Sequence, residues 1–121
     1  MSTLPDRFAT DEYAEDEPVA FMVCATGAEP DLAVAVNVPE RLFRRAQSIA
    51  TAYELHLLPA VDVYADTRLS GAQLSTFQDE VVFLRSVIRD PLLDDHLGRI
   101  QSLIDTRSRS PEGTELVISG P

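Results

Sequence analysis

The residues able to do chemistry are few, and their spacing decides what they can do. Nucleophilic catalysis needs a serine or cysteine beside a base that takes its proton. The chain offers one cysteine, Cys24, and two histidines, His56 and His96. Cys24 lies inside the apolar run VAFMVCA, residues 19 to 25, where a free thiol packs as a small hydrophobe and is expected to be buried and inert. Asp94, Asp95 and His96 form the one local cluster with metal-ligand residue types. Adjacent helical positions diverge by about 100° each, so these three do not easily converge on one ion. Asp90 and Asp94 stand one turn apart at a helix start, where acids complement the helix dipole. No phosphate loop, dinucleotide fingerprint, paired-cysteine site or HExxH occurs. The expectation is a non-enzymatic chain with no catalytic residue, no metal and no cofactor. The remaining enzyme reading is a pair of carboxylates brought together only in space.

Charge is the feature that points outward. The net charge is −10, and all ten basic residues are arginine. Residues 1 to 18 hold six acids against Arg7, which gives −5; residues 19 to 121 hold fourteen acids against nine arginines, also −5. The segment DEYAEDEP concentrates Asp11, Glu12, Glu15, Asp16 and Glu17 ahead of the first apolar run. A surface of this sign repels phosphate backbones and attracts basic proteins. A direct nucleic-acid partner is therefore disfavoured. With one cysteine there is no internal disulfide, and a reduced compartment is the natural reading. No apolar run approaches the roughly 20 residues that span a bilayer, and the acidic N-terminus lacks the look of a signal peptide. A cytoplasmic protein without a membrane partner is expected.

The elements that must position these residues follow from periodicity. Residues 1 to 17 lack apolar spacing and are expected to be an acidic, disordered segment; residues 18 to 121 form a single domain. VAFMVCA and LAVAVNV, residues 32 to 38, predict a β-hairpin around TGAEPD. Val19, Phe21, Val23, Leu32, Val34, Val36 and Val38 would face helices. Ala20, Met22, Cys24, Ala33, Ala35 and Asn37 would make a small-residue face, either thinly covered or open to a second copy or a partner. Asn37, Pro39 and Glu40 predict a helix start, and Leu42, Phe43, Ala46, Ile49, Ala50 and Tyr53 its buried stripe. Arg41, Arg44 and Arg45 occupy its solvated side. AVDVYA, within residues 60 to 65, reads as a third strand or an extended loop, with Val61 and Val63 inward. Ser70 and Gln73 suggest a capping box. Two further helices follow, with stripes Leu74, Phe77, Val81, Leu84, Ile88 and Leu93, Leu97, Ile100, Ile104. ELVIS, residues 115 to 119, closes the chain as a strand. The class is α+β: an antiparallel or mixed sheet with three helices on one face.

The segments FQDEVVFLRSVIRDPLLDDHL, residues 77 to 97, and TELVISGP, residues 114 to 121, together with the ββα opening and the acidity, resemble the small bacterial immunity proteins of polymorphic toxin systems. That resemblance implies a non-enzymatic inhibitor bound to a basic toxin domain. From the residues themselves, Asp62, Tyr64 and Asp66 are the candidate anchor, since a tyrosine between carboxylates combines aromatic contact with pairing to arginine or lysine. Asp11, Glu12, Glu15, Asp16 and Glu17 are the candidate steering charges. A homodimer is the competing use of the sheet face.

Overall fold

The computed structural model describes residues 16–107 and 113–121. Asp11, Glu12 and Glu15 lie outside the described residues, as do residues 108–112. Among the described residues the architecture is α+β, with four strands and four helices. Strands β1 (Pro18–Ala25), β2 (Val36–Pro39), β3 (Asp66–Ser70) and β4 (Thr114–Ser119) form one antiparallel sheet in the order β2-β1-β4-β3. Helices α1 (Glu40–Ala52), α2 (Leu57–Ala60), α3 (Gly71–Val87) and α4 (Pro91–Arg107) complete it. None of the helices searched is long and apolar enough to cross a membrane.

One face of the sheet carries the core. Val19 and Phe21 of β1, Val38 of β2, Leu69 of β3 and Leu116 and Ile118 of β4 pack with Phe43 of α1, Phe77 and Leu84 of α3 and Leu97 and Ile100 of α4. Phe21 is its centre, edge-on to Phe43 at 5.4 Å and 6.5 Å from Phe77 between ring centroids. The two long stripes behave as their spacing predicts, and Asp90 caps α4 by accepting from the Leu92 and Leu93 backbone N–H groups.

The hairpin differs from the expectation. Only Val36–Pro39 pairs with β1, from Pro18↔Pro39 to Phe21↔Val36. Leu32–Val34 forms a 3-10 turn instead of strand, because the Asp31 carboxylate accepts from Ala33 N at 2.9 Å and starts a turn locally. Leu32 and Val34 therefore leave the core face and stand exposed. The helix start also differs. Asn37 is an exposed strand residue, and Pro39 occupies the α1 cap position without a side-chain bond. The first turn is capped from a distance: Arg41 N donates to Asp16 Oδ2 at 3.0 Å, and Glu40 N to the Glu17 carbonyl at 3.1 Å. The last turn places Tyr53 at the surface, edge-on to Phe83 at 5.1 Å.

Of AVDVYA, Ala60 ends α2 and residues 61–65 are loop; the third strand is the adjoining DTRLS. The Ser70 side chain makes no cap bond, so the expected capping box does not form. The fourth helix, α2, was hidden by its length. Four residues cannot hold a helix alone, and side chains from neighbours clamp both of its ends. Glu80 of α3 accepts from the N–H groups of His56, Leu57 and Leu58 at 2.8–3.1 Å. Gln47 of α1 donates to the Leu58 and Val61 carbonyls at 3.2 and 2.7 Å.

Candidate functional site

The clamped α2 delivers the chain into residues 61 to 65, which cross the start of α1. Val61 and Val63 are buried and anchor this loop. Asp62 Oδ1 accepts from Tyr64 N at 2.9 Å, and the Asp62 carbonyl accepts from Ala65 N, so the loop turns tightly on Asp62. Gly120 lies against the Val63 carbonyl so closely that any Cβ there would collide with it. The outcome is a tight turn, anchored by Val61 and Val63, that presents Tyr64, which is 69% exposed, beside exposed Asp62 and Ala65.

Tyr64 is held although it is exposed. The Arg44 guanidinium lies 5.2 Å from its ring centroid and donates to its hydroxyl. That hydroxyl also reaches Glu40 Oε2 at 3.4 Å, and Arg44 pairs with the same carboxylate at 2.9 Å. The Arg44 pKa is raised, first by the Glu40 hydrogen bond. Beside this trio, Asp16 binds Arg41 through both carboxylate oxygens, and the hydrogen bond from Arg41 holds its carboxyl below the usual carboxylate range. The structure thus gathers Tyr64, Asp62 and the described end of DEYAEDEP around the first turns of α1.

Asp66 does not join them. It opens β3 on the opposite face of the sheet, where Ser119 Oγ donates to its Oδ1 at 2.8 Å. Asp16 is engaged in an ion pair rather than carried on a free tail. The three α1 arginines, expected on a solvated face, each meet an acid: Arg41 meets Asp16, Arg44 meets Glu40, and Arg45 Nη2 lies 2.6 Å from Asp90 Oδ2. Arg68, Arg85 and Arg99 pair likewise with Glu115, Asp94 and Asp95. Internal pairing thus offsets these six cations with six acids, and the excess charge of the chain remains carboxylate.

The residues first considered for catalysis disperse. Asp94 turns to Arg85, Asp95 to Arg99, and His96 Nδ1 to the Leu92 carbonyl at 2.9 Å. Asp90 binds backbone and Arg45 instead of pairing with Asp94. Cys24 is half-buried on the sheet face opposite the helices rather than fully buried, with its thiol 3.7 Å from the Ala28 carbonyl. Among the described residues, no group of three or more His, Cys, Asp or Glu is placed to hold a metal. Two residues that the sequence reading missed, Glu80 and Gln47, set the loop through α2. For Glu80 the signal was available: it stands three residues after Phe77, inside the buried stripe of α3. Gln47 carried no comparable mark. Neither a protein-family model, nor a curated protein, nor a solved structure gives a significant match to this chain.

Proposed function

We propose that this chain is a non-enzymatic binding protein, a cytoplasmic immunity protein that neutralises a basic toxin domain by stoichiometric binding. The observation that carries the reading is Tyr64: an exposed aromatic ring, fixed in place by Arg44 and Glu40 on a tight turn, next to the Asp62 carboxylate. An aromatic side chain that is already ordered loses little conformational freedom on binding, which is what a central contact requires. The surrounding excess of carboxylate then steers a basic partner toward it. Toxin nucleases must attract phosphate, so their surfaces have the complementary sign.

The test is binding kinetics against the toxin domain that this reading places in a neighbouring gene. Changing Asp11, Glu12, Glu15 and Glu17 to their amides, with Asp16 retained because it caps α1, should slow association about tenfold at low salt and leave dissociation nearly unchanged. Tyr64→Ala should accelerate dissociation about 30-fold, the loss of a hot-spot contact of roughly 2 kcal/mol. Wild-type association by the amide variant would show that these acids only solubilise. Unchanged dissociation of Tyr64→Ala would remove Tyr64 as the anchor.

A further inference from the structure

The sheet has two edges, β2 and β3, and the alternation of backbone hydrogen bonds decides which of them is open. Glu40 N donates to the Glu17 carbonyl, and Thr26 N to the Gly113 carbonyl, each one step beyond the paired strands. In an antiparallel ladder, directly opposed residues alternate between bonded and unbonded pairs. Counted from those two bonds, Val19 and Phe21 of β1 bond to β2, and Ala20, Met22 and Cys24 bond to β4. The alternation then carries across β4, whose Leu116 and Ile118 bond to Leu69 and Thr67. Asp66, Arg68 and Ser70 therefore turn their backbone N–H groups away from the sheet. On β2 the outward residues are Asn37 and Pro39.

Pro39 has no N–H to offer and β2 is only four residues long, so that edge is blunted against further pairing. The β3 edge is not. It has five residues, no proline and an unbroken register, and Asp66, Arg68 and Ser70 are all exposed. Among the described residues, no hydrogen bond takes up their outward N–H groups or the Asp66 and Arg68 carbonyls. The Ser70 carbonyl is different, because Ser70 caps α3 and its carbonyl accepts the first bond of that helix. Gly71, the next residue, has open space where a Cβ would stand. Asp66 and Arg68, two residues apart, put charges of opposite sign on one face of this open edge.

We propose that β3 pairs antiparallel with β3 of a second copy of this chain, centred on Thr67. This register sets Asp66 opposite Arg68 of the second copy, and Arg68 opposite its Asp66. Both are outward-bonding positions, so each pair exchanges backbone hydrogen bonds while opposite charges face one another. Thr67, half-buried, meets its own counterpart at the unbonded position, where side chains come closest and threonine pairs are favourable. Centring on Arg68 instead would oppose two guanidinium groups and would call on the Ser70 carbonyl that α3 already uses. Arg68 keeps its Glu115 pair, because a guanidinium has donors to spare. The result is one continuous sheet across a two-fold axis, the usual symmetry of homodimers. The small-residue sheet face first considered for a second copy is less suited, since Met22 and Val117 on it are already covered. A charge of −10 on each copy opposes the encounter, so the dimer is weak and reversible. The inference goes beyond the toxin-binding reading and does not depend on it.

The experiment is sedimentation of the full chain over concentrations from about 10 μM to about 1 mM, where a weak dimer forms. The expected result is a monomer–dimer equilibrium. Asp66→Arg and Arg68→Asp each set like charges opposite one another and should weaken self-association at least about tenfold. Mixed in equal amounts, the two variants bring opposite charges together again at both pairs and should form a heterodimer. Hydrogen exchange on the unaltered chain gives a second measurement that needs no variant. The N–H groups of Asp66 and Arg68 should exchange more slowly as concentration rises, while that of Asn37, on the other edge, stays the same. A chain that remains monomeric at about 1 mM overturns the proposal. A dimer that persists in both single variants also overturns it, because another surface then holds the copies together. Exchange at Asp66 and Arg68 that does not change with concentration is equally fatal.

Discussion

At the scale of single residues, the decisive groups are polar side chains that act on the backbone of another element. Glu80 is buried, yet its two oxygens accept from three N–H groups of residues 56 to 58. A carboxylate placed this way is satisfied, and its removal leaves donors that water reaches poorly. Glu80→Ala should therefore cost about 1–3 kcal/mol in chemical denaturation. Glu80→Gln, which keeps one acceptor oxygen, should cost less. Equal stability of Glu80→Ala and wild type would mean that α2 stands without its clamp. Loosening α2 also reaches Tyr64, because Val61 and Val63 anchor the presenting turn directly after it. The same logic runs through Asp16, whose bond to Arg41 N replaces the cap that Asn37 was expected to provide.

At the scale of elements, the long apolar stripes and the first and closing strands were legible, and several other short segments were not. Phe77, Leu84, Leu97 and Ile100 stand at helical spacing over several turns, and all four are buried as expected. Leu84→Ala and Leu97→Ala should each cost about 2–5 kcal/mol, the range for deleting a large buried side chain. Chemical denaturation within about 0.5 kcal/mol of wild type for both would contradict their place in the core. The hairpin was legible in β1 and in the Val36–Pro39 half of its second strand, but the first half of that strand and α2 were not, for a physical reason. Apolar alternation in residues 32 to 38 favours a strand, but a single Asp31 side-chain bond outweighs it over three residues. Likewise α2 owes its existence to Glu80 and Gln47, which lie far away in sequence. The candidate anchor divides the same way. Tyr64 and Asp62 share one tight turn beside α1, whereas Asp66, two residues on from Tyr64, has crossed into β3 and faces the other side of the sheet.

At the scale of the whole molecule, the question is where the acidic opening ends and the folded domain begins. The expectation drew the line after residue 17, but Asp16 and Glu17 both bond to the first turn of α1. Asp16 in addition forms the ion pair with Arg41. Two truncations separate these boundaries. Removing residues 1–14 takes away none of these bonds and relieves like-charge repulsion, so the melting temperature should stay level or rise slightly. Removing residues 1–17 strips the α1 start of its capping acceptors, a loss typically about 1 kcal/mol, which is roughly 4–8 °C for a domain near this size. The longer truncation should also weaken any partner that uses Tyr64, because Arg44 and Glu40, which hold the ring, lie in the turn that loses its cap. If both truncations melt together at the wild-type temperature, the Asp16 cap contributes nothing. If the shorter one alone melts several degrees lower, residues ahead of Asp16 are docked on the domain, and the steering role of Asp11, Glu12 and Glu15 falls with that result.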